Sequence, residues 1–163
     1  MGFYVILDNI RSLENIGSIF RTSDALGVDK IYLCGISGVP PRSGFPASQG
    51  NLATIHPKIS KTALGAEKTI PFEYHKSALR LIKKLKAEKV SIVALEQDVK
   101  AIDYKKLKPK RPLALVVGNE VKGISKNILV NSDIIIYLPQ KGKKESLNVA
   151  VAFGVAGYHI INI

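Results

Sequence analysis

Short runs of β-branched and apolar residues alternate along this chain with segments of helical periodicity, and that alternation constrains the fold more than any other feature. The candidate strands are Phe3 to Leu7, Lys30 to Cys34, Val90 to Leu95, Leu113 to Val117 and Ile134 to Leu138. Strands separated by helices build βα units, so the expected class is α/β, with a largely parallel sheet flanked by helices. A first helix is expected from Asn15 to Leu26, with Ile16, Ile19, Phe20 and Leu26 on one face, Arg21 pointing away and Gly27 as the stop. A second spans Lys76 to Glu88 and buries Leu79, Ile82 and Leu85, while Lys83, Lys84 and Lys86 stay in solvent. The last, Leu147 to Ile161, is apolar nearly all round and needs cover on every side. A homodimer partner is an economical cover, with Ala150, Ala152, Gly154 and Gly157 permitting close approach; burial wholly within its own chain is the alternative.

Length and charge narrow the class further. A chain of 163 residues that is 46% hydrophobic can bury one full core, so residues 1–163 are expected to form a single domain. Lys and Arg number 24 against 13 acidic residues, a net +11 that favours a polyanionic partner: nucleic acid first, an anionic membrane surface second. The single cysteine, Cys34, excludes an intrachain disulfide and reads as a small core residue of a protein in a reducing compartment, here cytoplasmic. The start MGFYVILDN is strand-like and lacks both a signal peptide and the myristoylation pattern. No apolar stretch reaches the roughly 18 residues of a membrane span. The Gly/Pro/Ser-rich stretch from Gly35 to Pro57 is too long for a simple connector and reads as a functional or mobile loop. Lys105 to Arg111, with Pro109, reads as an exposed basic linker.

Three polar clusters interrupt the pattern, two of them directly after a strand, where open parallel sheets bind ligands. In DNIRSLENIGSIFRTSDALG, Asn15 sits at the expected N-cap, Gly17 lets a ligand or backbone come close, and Arg21 offers a planar fork of donors suited to phosphate or ribose. A plain cap and a surface cation are the alternatives. LALVVGNEVKGIS runs a buried strand into a glycine-bounded turn. It is not a phosphate loop, because Ile124 stands where that motif requires Lys, and no GxGxxG follows any strand. What remains is a turn of backbone amides with Asn119 and Glu120, either capping residues or parts of a site. In DIIIYLPQKGKKESLNVAVAFG, Pro139 stops the strand, a cationic loop follows and Ser146 caps the helix; Asn148, just inside, lowers helix propensity and wants a partner. His56, His75 and His159 have no metal-ligand spacing, so no metal is expected, and GxSxG is absent.

Taken in order, N-x5-R in the first helix, VGNEVKGIS and LPQKGKKESLNVAVA resemble the three motifs of SpoU/TrmH-type RNA 2′-O-ribose methyltransferases of the SPOUT superfamily. The resemblance runs from Phe3 to about Tyr158. It implies a C-terminal trefoil knot, a rarity that local sequence cannot disclose. It also implies a homodimer and S-adenosyl-L-methionine (AdoMet) as cofactor, held by backbone around Leu95, Gly118, Asn119, Leu138 and Leu147. Asn15, Arg21, Glu120, Ser146 and Asn148 match the catalytic-motif positions. The implied activity is methyl transfer to a ribose 2′-hydroxyl of tRNA or rRNA. A SPOUT enzyme methylating a base is one alternative, which the SLN motif opposes. A catalytically silent RNA-binding dimer is another, opposed by the intact Arg21 and Asn148. The loop QKGKK departs from the family in its charge.

Overall fold

The structure is a computed structural model that describes residues 2–40, 56–108 and 110–162. Seven strands, β1 (Phe3–Asp8), β2 (Lys30–Cys34), β3 (Phe72–His75), β4 (Ser91–Leu95), β5 (Ile102–Asp103), β6 (Leu113–Gly118) and β7 (Ile134–Tyr137), form one sheet in the order β3-β2-β1-β6-β4-β7-β5. Every pairing in it is parallel. The helices are α1 (Leu13–Leu26), α2 (Ile59–Ala63), α3 (Ala66–Thr69), α4 (Ala78–Ala87), α5 (Lys126–Asn131) and α6 (Val149–Ile161), with a 3-10 turn at Tyr104–Lys106. The expected α/β class is observed.

Alternation along the central strands divides the core into two layers. Val5 and Leu7 of β1 and Leu113, Leu115 and Val117 of β6 pack with Ile16, Ile19 and Phe20 of α1 and Phe153, Ala156 and Ile160 of α6. Ile6, Ala114 and Val116 face the other way, onto Ala78, Leu81, Ile82 and Leu85 of α4 and Ile128 of α5. Because parallel strands all end at one edge of the sheet, the segments after β1, β4, β6 and β7 emerge side by side.

The differences from the sequence reading have local causes. The cap of α1 is Ser12, not Asn15: Ser12 is extended and its hydroxyl accepts from the Asn15 N–H at 3.1 Å, which places Asn15 inside the first turn. At α6 the cap is Asn148, not Ser146, because its side-chain oxygen accepts from the Ala150 and Val151 amides at 2.9 and 3.3 Å. Asn148 therefore stands at the helix boundary, not inside it, where its side chain stabilises the helix instead of lowering its propensity. In α4, capped by Ser77, Leu81 joins Ile82 and Leu85 in the core, while Leu79 is half-buried. Strands β3 and β5 are edge strands without an apolar run: FEYH buries only Phe72 in full, and β5 has 2 residues. The basic segment from Lys105 is pinned at Leu107, which is buried, and at Arg111, whose guanidinium donates to the Ile160 carbonyl at 3.1 Å. Pro109 lies outside the described residues, as do 41–55 of the Gly/Pro-rich loop.

Gly17 accommodates backbone, not ligand. A Cβ there would stand 2.0 Å from the Thr62 hydroxyl oxygen and 2.4 Å from the Ile59 carbonyl oxygen, so its absence lets α2 lie against α1. Gly157 likewise faces Leu26 of α1 within the chain and does not serve a partner. What α6 leaves in solvent is the stripe Val151, Val155 and Tyr158, 53%, 40% and 49% exposed. No helix among the described residues is long and apolar enough to cross a membrane.

Candidate functional site

Three loops meet at the carboxyl edge of the sheet, and one carboxylate joins two of them. Glu120, two residues beyond β6, accepts from the Arg11 and Ser12 backbone amides at 3.0 and 2.9 Å, in the segment between β1 and α1. It also accepts from the Asn15 side-chain amide at 3.2 Å. Asn15 in turn accepts from the Asn148 amide at 2.9 Å. A chain of side-chain contacts thus runs from the turn after β6, through the first turn of α1, to the cap of α6, across more than a hundred residues of sequence at each step. Partial burial opposes the charge on Glu120, but the Arg11 and Ser12 amides and the Asn15 amide outweigh it and hold the carboxyl below its ordinary range.

The turn after β6 is closed by its own residues. The Asn119 side-chain oxygen accepts from the Val121 and Lys122 amides at 3.0 and 2.9 Å, and its side-chain nitrogen donates to the Asn9 carbonyl at 2.8 Å. Gly123 takes a φ of 66°, which glycine adopts without strain. Gly118 is small for the sake of this turn: a Cβ would stand 2.6 Å from Ile124 Cγ1 and 2.8 Å from the Gly123 carbonyl carbon. A bulky residue at Gly118 therefore displaces the turn itself.

Around these contacts lies a cavity of about 850 Å³. Its lining brings together nine of the ten residues picked from the sequence: Asn15, Glu120, Ser146, Asn148, Leu95, Gly118, Asn119, Leu138 and Leu147. Ser146 and Leu147 are exposed at its mouth. Arg21 is the exception. Six residues beyond Asn15, its side chain sits about 9 Å along α1 and about 240° round it. It lines instead a separate open basin of about 540 Å³ with Ser18, Thr22, Lys61 and Tyr158.

Two residues of the lining, Glu96 and Gln97, carried no motif. Glu96 accepts from the Ile124 amide at 2.7 Å, and the Gln97 side chain donates to the Leu138 carbonyl at 2.9 Å. Their one sequence signal is position, directly after strand β4 at the ligand-binding edge. Cys34 is fully buried, and burial pushes its thiol well above the ordinary range, so it is no nucleophile.

The family model of the SpoU rRNA methylases matches residues 2–158. The chain belongs to the SpoU rRNA methylase family. Over 158 residues it is 29% identical to RlmP of Bacillus subtilis, a 23S rRNA (guanosine(2553)-2′-O)-methyltransferase, covering 96% of this chain and 56% of that one. The crystal structure of the Aquifex aeolicus TrmH/SpoU tRNA modifying enzyme superposes with a TM-score of 0.82 at 27% identity, over 99% of this chain and 74% of that one. The AdoMet-bound rRNA methyltransferase of Sinorhizobium meliloti gives 0.81 at 26% identity, over 96% and 54%. The chain spans a little over half the length of the curated relatives first matched, 57% in two of them.

Glu120→Gln removes the charge and turns an amide toward one of the backbone N–H groups, leaving that donor unsatisfied, so stability should fall by about 1–3 kcal/mol at pH 7. Because the folded carboxyl sits below its ordinary value, its contribution is present above about pH 4.5 and fades as pH falls through the folded value. Denaturant unfolding of both proteins from pH 7 to pH 3 should show the difference closing with acid; a pH-independent difference contradicts this role.

Proposed function

We propose that the chain is an AdoMet-dependent RNA methyltransferase acting on a ribose 2′-hydroxyl of tRNA or rRNA. The observation that carries the reading is the contact chain Glu120–Asn15–Asn148 at the wall of the 850 Å³ cavity. Small-molecule sites span roughly 300–1,000 Å³. Leu95, Val117, Leu138 and Leu147 supply apolar wall for an adenine-sized ring, and we assign its hydrogen bonds to backbone groups of the segments that follow the strands. The AdoMet-bound S. meliloti structure and the 2′-O activity in the name of RlmP support the same reading.

AdoMet when bound supplies an activated methyl group, so the protein has chiefly to position the acceptor hydroxyl. Asn15 and Asn148 suit that task. Asn148 is fixed by the helix amides its oxygen caps, Asn15 is fixed between Glu120 and Asn148, and each side-chain amide keeps a second N–H for a ribose oxygen. Glu120 is not the base, since its oxygens already accept three hydrogen bonds and its carboxyl is held ionised. Arg21 is not the base either, because its guanidinium offers only N–H donors and has no acceptor for a proton. We assign Arg21 to anchoring a phosphate beside the target ribose and stabilising developing alkoxide, the proton leaving through phosphate or water.

A second copy of the chain is the partner we assign to the face of α1 and α6. The stripe Val151, Val155 and Tyr158 borders a groove of about 590 Å³ with Ser18, Thr22 and Gly154, and the basin that Arg21 lines shares Ser18, Thr22 and Tyr158 with this groove. An apolar stripe beside small residues suits an isologous contact. The site of each chain then lies close to the joint, where RNA can meet both Arg21 and the cavity.

Wild-type protein given methyl-labelled AdoMet and RNA should transfer label to a ribose, read as a linkage resistant to alkaline hydrolysis. Arg21→Ala should lower the rate by about 10²-fold or more while AdoMet affinity stays within a few fold. Unchanged turnover in Arg21→Ala overturns its role; label in a base overturns the ribose assignment. Analytical ultracentrifugation should find a dimer that Val155→Asp dissociates, and a wild-type monomer at micromolar concentration contradicts the second-copy assignment.

A further inference from the structure

We propose that Glu96 is a positioning residue that latches the turn after β6 against strand β4 and so holds the cofactor side of the cavity open to AdoMet. This rests on the reading of the cavity as an AdoMet site. Within the turn, the Val121 and Lys122 amides donate to the Asn119 side chain, and the Gly123 amide donates to the Asn119 carbonyl at 2.8 Å. The Ile124 amide is different. It donates outside the turn, to Glu96 Oε2 at 2.7 Å, while Glu96 Oε1 accepts from the Gln97 amide at 2.8 Å. The Glu96 backbone is itself tied to β7 through its N–H and the Ile136 carbonyl at 3.0 Å.

Glu96 thus joins β7, through its backbone N–H, to the turn, through its carboxylate, at the exit of β4. Gly123 makes room for it: a Cβ there would stand 2.4 Å from Glu96 Oε2, so any side chain at 123 would expel the latch. Glu120 and Glu96 then hold the same turn from opposite sides, Glu120 toward α1 and Glu96 toward β4. The adjacent Gln97 performs the matching task for the loop after β7, through the Leu138 carbonyl. With Leu95 at the strand end, consecutive residues of β4 and its exit set the spacing of two cavity walls. A charge-assisted hydrogen bond of this kind fixes geometry more strongly than a neutral one.

Glu96→Gln keeps the shape but can no longer accept from both amides. In the free protein, hydrogen exchange at the Ile124 amide should accelerate. Calorimetry should show AdoMet affinity reduced about tenfold, the size expected for loss of one charged hydrogen bond. In the methyl-transfer assay the KM for AdoMet should rise by the same factor, with kcat at saturating AdoMet and the KM for RNA within about twofold of wild type, a split that general destabilisation would not give. AdoMet affinity within twofold of wild type, or unaltered exchange at Ile124, overturns the latch. Failure of wild type to bind AdoMet overturns the reading of the cavity instead, and the exchange measurement still decides whether Glu96 holds the turn. If Glu96→Gln does not fold, Glu96→Asp, which draws the carboxylate back by one methylene, should show the same changes at smaller amplitude; none in it overturns the latch.

Discussion

The wall formed by the turn after β6, the start of α1 and the cap of α6 depends on the contact between Glu120 and the start of α1. The Arg11 and Ser12 amides point at a carboxylate that arrives from the turn after β6, in a half-buried setting where its charge is stabilised mainly by backbone donors. Amides at a helix start need acceptors in any case. Supplying one from a different strand converts a local requirement into a long-range tie. Asn15 and Asn148 extend that tie to α6, so three segments distant in sequence form one wall.

The arrangement separates two physical tasks. The cavity beside Glu120 sets Leu95, Val117, Leu138 and Leu147 among polar side chains such as Asn15, Gln97 and Asn148, which suits a small ligand. The basin beyond it has Arg21 and Lys61 among hydroxyls and no carboxylate in its lining, which suits a polyanion. Asn15 belongs to the cavity, Arg21 to the basin, and one helix carries both.

Much of this was legible in the sequence, and the exceptions are instructive. The five central apolar runs became strands within a residue or so of the expected limits, and β2 matched at both ends, because buried parallel strands have no polar face to blur the pattern. Edge strands β3 and β5 carry no such signal. Capping was misplaced at α1 and α6 since Ser12 and Asn148 compete with Asn15 and Ser146, equally good caps by residue type, and only backbone direction decides between them. The motif residues converged except for Arg21, whose separation from Asn15 follows from helical geometry alone. Glu96 and Gln97 were invisible because a carboxylate and an amide after a strand look like ordinary surface residues until the turn they hold is known.

The central claim is that the segments after β4, β6 and β7 and the cap of α6 form a single site for AdoMet. Titrating AdoMet into isotopically labelled protein and following backbone amide resonances tests it most directly. The amides of Leu95 to Gln97, Gly118 to Ile124, Leu138 and Asn148 should shift together along one binding isotherm, with the β2–β3 edge unmoved. Shifts confined to that edge, or separate isotherms for the separate segments, would contradict it.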